Sequence, residues 1–325
     1  MDIRLAEPKD SEDIQDFIKS HWKDDHIFVK DNNFFNYEMC LFGAPNFVLA
    51  FNGGKLIGIL GFTCNRDSIK TSDLFLVMFR VIKSQASIKV GINLINHLSS
   101  LTKYKIHTIG ANEKTLTYYN FLGFNTGWLD HFYWLNDDPK LSFLFIKKSS
   151  NIKNFQQKNT DELFQIFESD LSKYKFNSIS ECGHNLPKSR SFFVRRYFRH
   201  PHYKYVFLSN IMLNGFGVVR EVDVKGFKGW RIIDWYGHLN KFSDFCSALI
   251  VRAKERNISF IDLYVKGINE DDLITAGLNR ISESVVIPNY LEPLVMKNIS
   301  ISYASSLDEN IFLIRGDGDQ DRPSY

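Results

Sequence analysis

The stretch from Phe192 to Tyr203 sets Arg195, Arg196 and Arg199 among aromatic rings and closes on His200, Pro201, His202 and Tyr203. Guanidinium groups pair bidentately with phosphate, and aromatic faces accept planar or CH-rich ligands. Arg196, His200 and Tyr203 are therefore candidate substrate contacts. The same spacing fits an amphipathic helix stopped by Pro201, with Phe193 and Tyr197 in a core and the arginines in solvent. A second group lies near the C-terminus, where Asp317, Asp319 and Asp321 alternate with other residues. The spacing starts like a calcium loop, but such a loop needs Gly at its sixth place and Glu at its twelfth, and position 322 is Arg. What remains is a carboxylate cluster able to receive an ammonium group or hydroxyls, or a solvated tail. Asp234 ends an apolar run, where a carboxylate is either hydrogen-bonded structure or faces a cleft. Cys40, Cys64, Cys182 and Cys246 are scattered without CxxC or zinc spacing, so no metal is expected and a reducing compartment fits.

The elements that must position these residues alternate between strand and helix. Ile3 to Glu7 reads as a strand, and Asp10 with Ser11 starts a helix carrying Ile14, Phe17, Ile18 and Trp22 on one face. Asn46 to Phe51 and Leu56 to Phe62 flank Asn52-Gly53-Gly54-Lys55, a hairpin signal. Leu74 to Ile82 is a near-continuous apolar run, as in a strand covered on both faces. A helix from about Val90 to Leu101, a strand Ile106 to Ala111, and a capped helix from Asn112 to a Gly123 stop follow. Strand residues lie around Trp128 to Leu135, and Leu141 to Ile146 forms a strand-like patch in a turn-rich stretch.

The second half predicts a helix from Asp161 to Tyr174, strands at 205–208, 215–224 and 230–235, a helix 243–256, a strand 259–265 and a helix 270–278. The order of elements repeats that of the first half, so the chain reads as a duplication: domains at 1–140 and 161–325 joined by a linker or connecting strand at 141–160.

Composition bounds the partners. At 325 residues, 44% hydrophobic and 24% charged, the chain suits about two globular domains. The 29 Phe imply a core or groove built from large flat rings. A formal charge of +3 is too balanced to predict nucleic-acid or anionic-membrane binding. The apolar run Leu74 to Phe79 is far short of the roughly 20 residues that cross a bilayer, so the expectation is a cytoplasmic protein acting on a small molecule, with a homodimer compatible.

The opening strand and helix, the Asn52–Gly54 hairpin, Leu74 to Ile82 leading into Val90-Gly91-Ile92, and Tyr119-Asn120-Phe121-Leu122-Gly123-Phe124 after Asn112 together resemble the GCN5-related N-acetyltransferase (GNAT) superfamily. The resemblance implies two tandem GNAT-like α/β (α+β) domains, each a mixed, largely antiparallel sheet flanked by helices. In that family the fourth strand splays from the fifth, acyl-CoA lies in the gap, and its pyrophosphate sits on the next helix N-terminus, where unpaired amides bind phosphate. Carried onto this chain, acetyl-CoA or another acyl-CoA would meet backbone groups near Val81 and Ile82, the helix start at Lys89, Val90, Gly91 and Ile92, and Asn112. The family's Gln/Arg-x-x-Gly-x-Gly/Ala loop aligns with Ala86-Ser87-Ile88-Lys89-Val90-Gly91, and only the final Gly survives. Lys89 either contacts phosphate or crowds it.

Tyr119 aligns with the tyrosine that hydrogen-bonds or protonates the departing thiolate; a phenol with a pKa of about 10 stays protonated for that task. Its alternative is a packed aromatic. The acceptor amine would lose its proton to a carboxylate or through water, with Asp73, His131 and Asp234 as candidate bases among which the sequence does not choose. The second half has Leu273 where Tyr119 stands, so the first half is the better donor site. The DGDQDRP tail, Arg196-Tyr197, His200-Pro201 and Ile232-Ile233-Asp234 also resemble tandem GNAT-like proteins of bacterial surface-polysaccharide synthesis. That implies an amino sugar, free or nucleotide-linked, as acceptor. A non-catalytic binding module and an aminoacyl-tRNA-dependent transferase are the competing readings.

Overall fold

In the computed structural model the described residues are 1–84, 87–147, 161–176, 186–289, 292, 294–307 and 311–323. In chain order the strands are β1 (Asp2–Leu5), β2 (Phe47–Asn52), β3 (Lys55–Cys64), β4 (Leu74–Val81), β5 (Ile106–Ile109), β6 (Asn125–Trp128), β7 (Asp130–Leu135), β8 (Phe164–Ile166), β9 (Tyr205–Ser209), β10 (Phe216–Val224), β11 (Phe227–Tyr236), β12 (Phe260–Lys266), β13 (Asn279–Arg280), β14 (Ser302–Ser305) and β15 (Leu313–Ile314). The helices are α1 (Ser11–His21), α2 (Ile27–Lys30), α3 (Asn32–Met39), α4 (Ser87–Leu101), α5 (Glu113–Phe121), α6 (Pro139–Ser142), α7 (Arg190–Phe193), α8 (Phe242–Glu255) and α9 (Glu270–Thr275).

The chain divides into two units, one of Met1–Thr126, Tyr303–Asp308 and Arg322–Tyr325, the other of Gly127–Ser302 and Glu309–Asp321. The division thus falls between Thr126 and Gly127, ahead of the 141–160 junction read from composition, most of which lies outside the described residues. One sheet has the order β1-β2-β3-β4-β5-β14-β6, the other β13-β7-β12-β11-β10-β9-β8 with β15 on β12. Each sheet accepts a strand from far along the chain: β14 lies between β5 and β6, and β7 between β13 and β12. Among the described residues no helix is long and apolar enough to cross a membrane.

Local chemistry sets the elements of the first unit. Gly53 and Gly54, with φ of 57° and 79°, close the β2–β3 hairpin in the left-handed region that its strand twist requires. Ile14, Phe17 and Ile18 of α1 are buried at helical spacing, and α4 does the same with Val90, Leu94, Ile95 and Leu98. The Asn112 side chain accepts the Thr115 amide at 3.0 Å to start α5, and Gly123 ends it at φ 80°. The first unit's sheet therefore carries one apolar cluster around Phe28, Phe34, Phe35 and Phe47 and another around Leu60, Leu76, Leu94 and Leu98.

Three expectations change. Leu141 to Ile146 is not a strand: Asp138 caps the Lys140 amide at 2.9 Å and Pro139 opens α6, followed by a 3-10 turn, so that Ile146 alone bridges to Val285. The helix expected at 161–174 is instead β8 and a 3-10 segment at Glu168–Lys173, because pairing of Phe164 with Ser209 and of Ile166 with Phe207 outweighs helical spacing. The aromatic-basic segment is α7 continued by a π-helical turn at Val194–Phe198. Phe192, Phe193 and Tyr197 are buried as expected, but so is Arg196.

Candidate functional site

β4 and β5 pair in parallel only at Leu74 with Ile106, Phe75 with His107 and Leu76 with Thr108. β4 runs on to Val81 while β5 ends at Ile109, so the two strands part after Leu76. At that point Gly61 pairs with Met78 and Phe62 with Leu76, which leaves Val77 as an extra residue on β4. Such a bulge bends a strand and increases its twist, and here it turns β4 away from β5. Beyond it β4 stays paired with β3 on its other edge. The Ile82 amide donates to the Ile57 carbonyl at 2.9 Å. By the alternation of an antiparallel ladder, Arg80 faces β3 as Ile82 does, and Phe79 and Val81 present their backbone groups to the fork. The backbone groups of Val81 thus face the fork. The amide of Ile82 does not, because it is already used.

The fork opens into a cleft of about 390 Å³ lined by Phe79, Arg80, Val81, Ser87, Ile88, Gly91, Asn112, Lys114, Thr115 and Tyr118. It is flanked by the N-terminal turns of α4 and α5, whose first amides have no partners within their helices. Helix α4 begins at Ser87, a full turn ahead of Gly91, so Lys89, Val90, Gly91 and Ile92 are already helical. Gln85 and Ala86 lie outside the described residues. Lys89 is exposed and does not line the cleft, and Val90 is packed in the core. The face of Gly91 is taken. A Cβ there would lie 2.7 Å from the Tyr118 hydroxyl and 2.9 Å from the Phe79 ring. The Tyr118 hydroxyl donates to the Ile88 carbonyl at 2.6 Å. Gly91 is thus small to admit Tyr118, and the amide of Ile92, more than a turn inside α4, belongs to the helix's own hydrogen-bond ladder.

Tyr119 stands one residue on but does not line the cleft. It is 1% exposed, packed against Phe124 at 5.3 Å between ring centroids, in the cluster that holds Leu76 and Ile106 where the strands part. Burial pushes its phenol pKa up, and its hydroxyl makes no hydrogen bond among the described residues. The neighbour Tyr118, together with Arg80 and Lys114, was not singled out by the sequence; the signal was their position beside the splayed strand and the Asn112 cap.

The second unit repeats the fork and then fills it. β11 and β12 pair in parallel from Gly229 with Phe260 to Ile232 with Leu263. Val218 pairs with Asp234 and Val219 with Ile232, so Ile233 is the extra residue where β11 leaves β12. Into that gap comes the chain's own β15, pairing Ile314 with Val265 and Leu313 with Lys266, followed by a 3-10 turn at Arg315–Asp317. A Cβ at Gly316 would lie 2.3 Å from the Tyr197 hydroxyl and 2.7 Å from the Ile233 carbonyl oxygen.

This insertion decides where the tail carboxylates and Asp234 lie. Lys188 Nζ is 2.5 Å from Asp234 and 2.6 Å from Asp317, all three buried, and the Tyr197 hydroxyl donates to Asp234 at 2.6 Å. Asp321 accepts from Arg220 at 2.7 Å and from the Tyr205 hydroxyl at 2.8 Å, and Asp319 accepts from the Gln320 amide at 2.8 Å. Arg196 donates to the Gly318 carbonyl. The tail is neither a solvated end nor an open carboxylate cluster: Asp317, Asp319, Asp321 and Arg196 are buried in pairs that hold the insertion in place.

The other candidate bases are committed as well. Asp73 is buried, accepts from Asn65 Nδ2 at 3.1 Å and from the Lys105 amide at 3.2 Å, and lies 3.7 Å from His107. His131 is 3.0 Å from Asp262 and stacks on Tyr264 at 3.9 Å. Neither lines the cleft of the first unit, and among the described residues no carboxylate or imidazole does. His200 Nδ1 accepts the amides of His202 and Tyr203 at 3.2 and 2.9 Å, and its ring stacks on Tyr203 at 5.1 Å. Tyr203 lines a cavity of about 580 Å³ in the second unit with His202, Lys204, Arg220, Glu221, Asp223, Lys225 and Glu292 among its walls. Among the described residues no group of three His, Cys, Asp or Glu is placed to hold a metal.

No protein-family model and no curated protein matches the sequence. Solved structures do match in fold. A GCN5-related N-acetyltransferase from Anabaena variabilis aligns with a TM-score of 0.55 at 9% identity over 94% of this chain and 72% of its own. One from Kribbella flavida aligns with a TM-score of 0.51 at 9% identity over the same shares. A putative acetyltransferase from Pyrococcus horikoshii gives 0.48 at 11% identity over 97% and 92%. The chain has the fold of tandem GNAT-like domains: two mixed sheets flanked by helices, each forked.

Proposed function

We propose that this protein transfers an acyl group from acyl-CoA to an amine, and that the donor lies in the fork of the first unit. The observation that carries the reading is the edge of β4 beyond Leu76, left unpaired by β5 beside a cleft with two helix starts. Phe79 and Val81 would hold the donor's amide arm through the backbone groups they turn to the fork. Bound acyl-CoA supplies a thioester, whose carbonyl the amine attacks so that a C–N bond forms and the C–S bond breaks. Tyr119 lies outside the cleft lining but is packed where β4 and β5 part. With the thioester carried past that lining to the inner end of the fork, its phenol, kept protonated by burial, would donate a hydrogen bond where negative charge develops on sulfur. Because the described residues of the cleft walls include no carboxylate or imidazole, the acceptor's proton would pass to water.

The acceptor we propose is an amino sugar, free or nucleotide-linked, as in surface-polysaccharide synthesis. What supports that class is the resemblance of the DGDQDRP tail, Arg196-Tyr197, His200-Pro201 and Ile232-Ile233-Asp234 to proteins of that synthesis. Thiol release from acetyl-CoA, followed over a panel of free and nucleotide-linked amino sugars, tests both parts. Release with an amino sugar supports the reading; release only with peptide or aminoglycoside amines overturns the acceptor. The crowding of Gly91 by Tyr118 favours one rival, a binding module that no longer takes a donor, and wild-type protein that fails to bind any acyl-CoA in calorimetry would establish it.

A further inference from the structure

The donor cleft has an electrostatic character that its fold alone does not require. Its walls hold two cationic side chains, Arg80 from β4 and Lys114 from α5, and no anionic one. Neither cation makes an ion pair among the described residues. Lys114 lies in the first turn of α5, where the helix dipole disfavours positive charge. The first turn of α5 also holds Glu113, which does not line the cleft, and the first turn of α4 contains no acidic residue. Meanwhile the helix face at Gly91 is closed: the Tyr118 hydroxyl occupies it, held on the Ile88 carbonyl.

We infer that Arg80 and Lys114 are the phosphate-binding residues of this cleft, taking by side-chain charge the diphosphate that the α4 helix face at Gly91 has no room to seat. The inference rests on the acyl-CoA reading and deepens it. Arg80 offers a planar fork of donors that can engage two phosphate oxygens at once, and Lys114 adds a point charge at the opposite wall. Charge-assisted hydrogen bonds of this kind are the strong ones, so each side chain governs roughly a ten- to hundredfold change in affinity. Lys89, outside the cleft lining, contributes little.

Isothermal calorimetry on the full chain tests this with two donors, acetyl-CoA and the phosphate-free thioester S-acetyl-pantetheine. Arg80→Gln and Lys114→Gln are each expected to weaken acetyl-CoA roughly ten- to hundredfold and to leave S-acetyl-pantetheine unchanged; Lys89→Gln is expected to weaken acetyl-CoA less than about threefold. Both side chains are exposed, and matching thermal melts verify that the variants fold. If wild type binds acetyl-CoA and both variants bind it equally well, the assignment of Arg80 and Lys114 is wrong while the donor fork stands. If Lys89→Gln produces the large loss instead, the phosphate lies on the α4 side and the assignment is also wrong. If wild type binds neither donor, the acyl-CoA reading itself fails and the inference falls with it.

Discussion

Tyr118 and Tyr119 are neighbours in sequence, but on a helix consecutive side chains point about 100° apart. One reaches the cleft and is tied to Ile88; the other sinks into the core at the point where β4 and β5 separate. An alignment marks Tyr119 without saying which of the pair is wet, because that depends on how α5 is rolled against the sheet. Tyr119→Phe is expected to lower kcat about ten- to hundredfold with acetyl-CoA affinity nearly intact, since it removes a donor whose partner forms during bond breaking. Steady-state kinetics with calorimetry checks it, and unchanged kcat would take Tyr119 out of the mechanism. Gly91→Ala gains helix propensity but pushes a methyl into the Tyr118 hydroxyl and the Phe79 ring, so a net loss of about 1–2 kcal/mol is expected in urea unfolding. Tyr118→Phe in the same chain should recover part of that loss. Additive effects in the double variant would show that the two residues do not press on one another.

Elements built by short-range chemistry were legible in the sequence. The Gly53–Gly54 hairpin, α4 with its apolar stripe, and the Asn112-to-Gly123 helix follow from residues within one or two turns of each other. The bulges at Val77 and Ile233 were not, because a bulge is a property of register between two strands and leaves no residue type behind. Nor was the burial of the tail, whose partners Lys188 and Arg220 lie far away in sequence. The same holds for Asp262, which His131, Arg231 and Arg315 surround within 3.2 Å. Burial alone would raise its carboxyl pKa; Arg315, the His131 hydrogen bond and Arg231 outweigh that and hold it well below the usual carboxylate range. A carboxyl depressed in the folded state contributes stability above its unfolded pKa of about 4, and that contribution is lost as pH falls through the folded value. Asp262→Asn, which leaves two buried guanidiniums facing a neutral amide, is expected to cost about 3–5 kcal/mol at neutral pH and to flatten the decline of stability in acid. Urea midpoints at a series of pH values measure it. A variant as acid-sensitive as wild type would mean that other carboxylates set the acid limit.

At the scale of the whole molecule, duplication is visible in the repeated bulge-and-fork, and the two copies differ in what occupies it. In the first unit the gap beyond Leu76 is lined by Arg80, Val81 and Lys114; in the second the gap beyond Ile232 holds Leu313 to Asp317. The exchange of β14 and β7 between the sheets could not be read from either half alone, since each strand completes a sheet whose other members lie elsewhere in the chain. From the occupied second fork follows a stoichiometry of one donor per chain. The most direct measurement is a crystal structure of the full chain soaked with acetyl-CoA. The account predicts density for the donor's amide arm along 77–81 of β4, its phosphates between Arg80 and Lys114, and residues 313–317 undisturbed in the other unit. Density in the second fork, or a first fork that stays empty at saturating donor, would contradict it.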